Sequence, residues 1–571
     1  MRIRAMIAAL LALPLLVAAA AGGQAAPVGA GPVAYFDWFD YRGEDPVDRA
    51  MKAGPDAYRN PILQGFYPDP SILRVGGDYY LVNSSFSYFP GLPIFRSRDL
   101  ISWTQIGNAI DRPGQFDFKR IGLSRGIFAP DITYHAGLFY LAGTCVDCGG
   151  NFVMTAKSAA GPWSDPHWNP IDGIDPSLFF DDDGQAWILN NGPPVGKPRY
   201  DGHRAIWMQR FDTKTLKPVG ERSVIVDGGV RPADKPIWIE GPHLFRKDGL
   251  YYLIAAEGGT AENHSEVVFR SRSVSGPYEP GPVNPILTQR TLDPARPFPI
   301  TSTGHADFVA TPKGDWWSVF LGTRPYRDDF YNIGRETFLL PVRWRNGWPE
   351  VTAPGATVPY LHARPALPRQ AAAVVPNSGA FHVRDEFAGK ALPPYWVQIR
   401  ATDTRWRGLS GGALGLAARP VAIGGAGDPS YLGRRVQHGW ATAETLVRFA
   451  PKHEGDRAGI AVVQDTAYFY ALSLARTAAG TAIVVEKRDG PKDLAGGVPV
   501  ASVPFTGTTV RLRIVLRGAL CDFLYAGAGT DGDGAWHVVA KDLDATILST
   551  KHAGGFIGAT VGPFARAGGA D

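Results

Sequence analysis

Three carboxylates stand at matching places in this chain: Asp69 in Pro68-Asp69-Pro70-Ser71, Asp175 in Ile174-Asp175-Pro176-Ser177, and Glu240 in Glu240-Gly241-Pro242-His243. Asp131 and His305 open two further segments of the same form. A single Asp-Pro is ordinarily a solvated turn or a cap. Repetition changes that reading, because a repeated fold brings the repeated position to one place. Like charges crowded in a poorly solvated pocket raise at least one pKa. One carboxyl kept protonated beside another kept ionised suits the cleavage of an acetal: the first donates to the leaving oxygen and the second activates water. A third carboxylate can hold the acid's pKa up and orient it.

The elements that must position these groups follow from the repeat. Starts at Asp69, Asp131, Asp175, Glu240 and His305 are each followed by a glycine-bearing turn and an aromatic-rich run, such as Gly76-Gly77-Asp78-Tyr79-Tyr80-Leu81 and Gly249-Leu250-Tyr251-Tyr252-Leu253. Each unit reads as a β-hairpin, and the spacing leaves room for one four-stranded blade per unit. Helical periodicity is almost absent between residues 60 and 350, whereas β-branched and aromatic alternation is frequent. The expected fold is all-β: a five-bladed β-propeller over 58–362, preferred to an array of β-sandwiches because every unit starts on a polar residue. The first strand of a blade lines the central channel, so those polar starts converge. Asp131 is expected level with Asp69, as part of the channel's charge network or as a strand-start hydrogen bond. Residues 363–378, with Pro365, Pro368 and Pro376, read as a stiff linker. Strictly alternating runs such as 441–449 and 509–516 then predict a β-sandwich over 379–571. Residues 27–57 are left as an N-terminal extension.

The motifs carry a resemblance. Gln64-Gly65-Phe66-Tyr67-Pro68-Asp69-Pro70-Ser71, Arg125-Gly126-Ile127-Phe128-Ala129-Pro130-Asp131, Gly173-Ile174-Asp175-Pro176-Ser177, Glu240-Gly241-Pro242-His243, Ala256-Glu257-Gly258-Gly259-Thr260 and Gly334-Arg335-Glu336-Thr337 resemble, in order, the motifs of family-43 glycoside hydrolases. The tail resembles the concanavalin-like β-sandwich appended to β-xylosidases of that family. The resemblance implies an inverting exo-hydrolase of xylo- or arabinoxylo-oligosaccharides, foremost a β-xylosidase, with α-L-arabinofuranosidase as the alternative or a second activity. It implies Asp69 as general base, Glu240 as general acid and Asp175 as the carboxylate that tunes the acid. Arg335 would reach sugar hydroxyls, and Phe86, Phe128 and His264 would wall the pocket, although many relatives carry tryptophan where Phe128 stands. His305 would face a structural calcium or an ordered water in the channel, with no cofactor required for the chemistry. Val561-Gly562-Pro563-Phe564 departs from relatives that end in a metal-binding aspartate, which argues against calcium in the sandwich. The competing class is a non-catalytic carbohydrate-binding propeller, which would not need base, acid and tuner together.

Composition narrows the setting. A formal net charge of +4 over 571 residues is no footprint for nucleic acid or an anionic membrane. Arg2 and Arg4, the apolar run from Ala5 to Ala21, and small residues near Gly23, Ala25 and Ala26 predict a signal peptide over 1–26, hence a secreted or periplasmic protein with no membrane attachment after cleavage. Cys145 and Cys148 lack the second pair a zinc site needs, so a local disulfide or two free thiols is expected, with Cys521 left over. The chain has no nucleophile elbow, phosphate-binding loop or paired-histidine zinc motif. Asp181-Asp182-Asp183-Gly184 is a solvated turn rather than a calcium loop, for want of the downstream glutamate.

Overall fold

Five antiparallel sheets, four of four strands and one, the fourth, widened to five by Leu287–Thr288, stand around one axis in the computed structural model, which describes residues 31–528 and 535–568. The expected signal segment lies outside the described residues. From the axis outward, blade 1 runs Ser71–Val75, Asp78–Val82, Gly91–Ser97 and Thr104–Ile110. Blades 2 to 5 begin at Gly126–His135, Ile174–Phe180, Glu240–Lys247 and Thr301–Ala310, and each continues outward in sequence order. Alternation of apolar and polar residues lets each blade bury both faces against its neighbours. Between blades 1 and 2, for instance, Ile94, Ile132, Leu141 and Phe152 pack in one fully buried cluster, and each such side chain contributes roughly 1.5–3 kcal/mol.

The ring is closed by the segment before blade 1. Ala57–Arg59 pairs with Leu361–Ala363, Leu63 bridges Thr337, and the Asn60 amide both donates to the Leu339 carbonyl (2.9 Å) and accepts the Leu339 N–H (2.9 Å). The two ends of the propeller sequence are thus held on blade 5.

The innermost strands share a feature that their sequence pattern conceals. Asp69, Ala129, Asp175, Gly241 and His305 all adopt positive φ, between 27° and 56°. In blades 2 to 5 a register shift marks that place in the ladder. The positive φ kinks the backbone of every inner strand, with a bulge in blades 2 to 5, and separates two levels of side chains in the channel. Ser71, Asp131, Ser177, His243 and Asp307 lie two residues further along, at the second level. Asp131 is therefore level with Ser71, not with Asp69 as expected; Ala129 takes the place of the catalytic-level residue. Pro130 aligns with Pro70, Pro176 and Pro242 in that register, and Ala306 holds the place in blade 5.

The second domain is a two-sheet sandwich whose boundaries are not contiguous in sequence. Strand Val33–Gly43, assigned from sequence to a bare extension, lies within one sheet between Ala413–Ala417 and Trp440–Arg448. The other sheet ends on Tyr88–Phe89 from blade 1, which pairs with Val397–Ile399. Both pairings tie propeller-side chain into the sandwich. Residues 364–378 form no strand or helix. Cys145 and Cys148 form a disulfide, and Cys521 is free and buried. No helix among the described residues is long and apolar enough to cross a membrane.

Candidate active site

At one end of the channel lies a cavity of about 680 Å³. All eight residues singled out from sequence line it: Asp69, Phe86, Phe128, Asp175, Glu240, His264, His305 and Arg335. Positive φ at Asp69, Asp175 and His305 turns three polar side chains of three inner strands and their approaches toward it.

The two outer carboxylates of the set are held in opposite states. Asp69 accepts from Arg335 Nη1 at 2.9 Å and from Ser84 Oγ at 2.6 Å. Burial raises its pKa most strongly, but Arg335, His305, the Ser84 hydroxyl and His264 together outweigh burial and leave the carboxyl below its ordinary range. Glu240 is only 7% exposed, and its carboxyl makes no hydrogen bond to the described residues. Burial, then the charge of Asp175, pushes it up to about 8, against the opposing pull of His305. The base-like group is thus ionised and the acid-like group protonated at neutral pH.

Asp175 is the third carboxylate of the set. Its Oδ2 accepts the Gly241 N–H at 3.2 Å and lies 3.8 Å from His305 Nε2. Burial lowers the pKa of His305, but Asp175, Asp69 and Glu240 overcome that and raise it to about 9. A protonated imidazole among three carboxyl groups, one of them protonated, is the compensation such crowding requires.

Arg335 is available to the pocket because its neighbour is occupied elsewhere. Glu336 accepts from Arg324 Nε and Nη2 (2.6 and 2.9 Å) and from the Gly65 N–H (3.0 Å). His264 donates Nδ1–H to the Ser302 carbonyl at 3.0 Å, and burial lowers its pKa to about 4. Its Nε2 is therefore an acceptor, and it is buried without a protein partner. Phe86 meets Phe128 edge-on at 5.5 Å, and Phe128 meets Phe556 in the same way at 5.6 Å. Gly126 permits this wall: it has φ +92°, and a Cβ there would lie 2.5 Å from the Phe86 carbonyl oxygen.

Sequence reasoning did not find Phe556, Trp238 or Arg204, all of which line the cavity. Phe556 belongs to the sandwich and follows Gly554-Gly555 in a loop before the strand Thr560–Arg566. Its N–H is held by Ser124 Oγ at 3.0 Å, its carbonyl accepts from Arg335 at 3.4 Å, and the Arg335 guanidinium lies 5.7 Å from its ring centre. Only the paired glycines hinted at a special loop.

Around His305, Asp69 is engaged by Arg335 and Ser84, and Asp175 Oδ2 by the Gly241 N–H, so a hard cation there would draw most of its six to eight oxygens from water. Among the described residues the ligand-like cluster is at the second channel level: Asp131, His243 and Asp307, with ligand atoms within 4.8 Å of one another. There Asp131 accepts the Leu178 N–H (2.9 Å), and Asp307 accepts from Ser71 Oγ (2.9 Å) and the Ile72 N–H (2.8 Å). Burial lowers the His243 pKa, but the charges of Asp307 and Asp131 outweigh it and leave it raised. These are blade-to-blade ties rather than an oxygen cage.

Comparison with known proteins agrees with this geometry. Residues 58–349 match the model for glycosyl hydrolases family 43, and 384–571 match the β-xylosidase C-terminal concanavalin A-like domain. The chain is 38% identical over 521 residues to a xylosidase/arabinosidase of Butyrivibrio fibrisolvens, covering 89% of this chain and 96% of that protein. It is 35% identical over 519 residues to a non-reducing end α-L-arabinofuranosidase of Bacteroides ovatus, covering 90% and 92%. The crystal structure of a GH43_12 protein retrieved from capybara gut metagenome superposes with a TM-score of 0.86 at 38% identity, over 94% of this chain and 99% of that one. The motifs, the propeller with its appended sandwich, and these likenesses agree, and the chain belongs to glycosyl hydrolase family 43.

Proposed function

We propose that this family-43 hydrolase is an inverting exo-glycosidase that removes terminal pentoses from xylan-derived oligosaccharides, foremost as a β-xylosidase and with α-L-arabinofuranosidase as second activity. The observation that carries the proposal is the divergence of two carboxyl groups in one cavity: Asp69 held ionised and Glu240 held protonated. Asp69 takes a proton from water as its oxygen attacks the anomeric carbon. Glu240 gives its proton to the glycosidic oxygen as that bond breaks, and Asp175 sustains the acid's high pKa. Exchange with solvent then returns one proton to Glu240 and removes one from Asp69. Arg335 and the Nε2 acceptor of His264 suit the hydroxyls of a small sugar, while Phe86, Phe128 and Phe556 offer apolar faces to the ring. A xylan β-1,4-xylosidase of Bacillus halodurans, 31% identical with a TM-score of 0.80, supports xylose as the first sugar to test.

The deciding experiment is product analysis on arabinoxylan oligomers by NMR during the first turnovers. Release of a terminal pentose with inverted anomeric configuration is expected; retention, or cleavage within the chain, would overturn the mechanism. Glu240→Ala is expected to lower turnover of the same oligomers by roughly 10²–10⁴-fold, and an unchanged rate would remove Glu240 from the mechanism. Export is part of the same proposal. Basic Arg2 and Arg4 followed by an apolar run support a secreted or periplasmic enzyme, and N-terminal sequencing of protein recovered outside the cytoplasm should begin near residue 27.

A further inference from the structure

The rim of the cavity holds charges that the catalytic carboxylates do not explain. Arg204 and Trp238 both line it and are both half-buried, with the guanidinium 4.1 Å from the indole ring centre. The acids around this rim have other partners. Asp227 pairs with Arg199 at 3.0 Å and with His203 at 2.8 Å, Asp234 pairs with Arg231 at 2.9 Å, and Glu257 accepts the Val230 N–H at 3.0 Å. Among the described residues no carboxylate lies within ion-pair distance of Arg204, Lys235 or Arg290.

The rim also has a defined place relative to the chemistry. Trp238 precedes Glu240 by two residues; its N–H donates to the Gly202 carbonyl at 2.8 Å, and the Gly258 N–H donates to the Ile237 carbonyl at 2.9 Å. The Gly202–Arg204 turn, the approach to Glu240 and the loop after Glu257 are therefore one connected rim. A general acid must face the leaving oxygen, so groups fixed around Glu240 face the leaving group. A second cavity of about 310 Å³ adjoins it, sharing Ile237, Gly258 and Asn263, and its lining sets Arg231, Lys235 and Arg290 against Asp234 and Glu257, a net positive balance.

We propose that Arg204, positioned by Trp238, is the specificity-determining residue of a leaving-group subsite that prefers a sugar bearing a carboxylate, such as a uronic-acid branch on the oligosaccharide. A guanidinium laid on an indole face keeps its donor edge free for a planar, bidentate partner. Lys235 and Arg290 add a field of the same sign, and the branch occupies the adjoining cavity. This inference rests on the glycosidase reading above, because it takes Glu240 to mark the leaving-group side.

Calorimetric titration of Glu240→Gln, chosen to suppress turnover, would compare a neutral xylo-oligosaccharide with the same oligosaccharide carrying a glucuronic acid branch. The branched ligand is expected to bind roughly tenfold more tightly, the scale of one charge-assisted contact, with the preference shrinking as salt is raised. Adding Arg204→Ala should abolish the preference, and Arg204→Lys should retain part of it. Equal binding of the two ligands, or a preference that survives Arg204→Ala, overturns the subsite. Turnover of the neutral oligosaccharide by the unmodified enzyme is read separately. Its absence would sink the glycosidase reading, while the titration still reports whether the rim selects a carboxylate.

Discussion

Asp69 and Glu240 are both almost fully buried, yet their neighbours separate them. Asp69 has a guanidinium and a hydroxyl on its two oxygens; for Glu240 the carboxylate of Asp175 adds to the effect of burial, and the His305 charge offsets only part of it. Activity that needs Asp69 ionised is present above its lowered pKa, and activity that needs Glu240 protonated is lost as pH rises through its raised one. The pH profile of kcat/KM should therefore be a broad bell, with an acid limb below the ordinary carboxylate range and an alkaline limb above neutrality. Replacing Asp175 by Asn removes the charge that raises Glu240 more than His305 lowers it. The alkaline limb of Asp175→Asn should thus move to lower pH; a limb that stays or rises would show that Asp175 does not tune the acid. The types of these residues were readable from their repeated context, but their states were not. Those states depend on Ser84 and Arg335, 15 and 266 positions away from Asp69.

At the scale of the strand, the positive-φ kink of each inner strand, with a bulge in blades 2 to 5, decides which side chains reach the cavity. Asp tolerates the left-handed region better than most residues, whereas Gly241 leaves no space for a side chain at all: at φ +55° an added Cβ would lie 2.7 Å from the His305 ring. Gly241→Ala is expected to displace His305 and the adjoining Glu240, giving a melting temperature several degrees lower and a loss of turnover. An unaltered Tm with full activity would mean that the inner strand relaxes freely. The hairpins themselves were legible, since glycine turns and aromatic runs are local signals. The bulge was not, because one extra residue leaves the hydrophobic alternation on either side intact. Asp131 was misplaced for that reason.

The molecule as a whole is interlocked in a way that neither domain's sequence announces. Arg324, from blade 5, binds Glu336 behind the active site and Asp45 at 2.8 Å; Asp45 also accepts the Trp440 N–H at 3.1 Å. One buried guanidinium thereby joins the propeller, the segment after the first strand and the sandwich. Arg324→Ala would leave Glu336, which is fully buried, without its cation, a loss of about 3–5 kcal/mol. Chemical denaturation should show the drop, and a change below about 1 kcal/mol would refute the interlock. Phe556→Ala tests the sandwich's part in the site. Loss of an aromatic wall should lower kcat/KM by roughly tenfold, mostly through KM, at the cost of about one aromatic contact. Unchanged kinetics would make the loop a bystander.

The amino-acid order by itself determined the five hairpins, the three carboxylates at matched positions and the all-β tail, because each is written in a short local pattern of turn residues, alternation and repeated motif. Tertiary structure alone decided the level of Asp131, the entry of Val33–Gly43 into the sandwich and the placement of Phe556 beside Arg335. Those outcomes depend on strand register and on contacts between residues hundreds of positions apart. No local pattern records them, since the same alternating strand can pair with any edge of matching length until the packed core selects one.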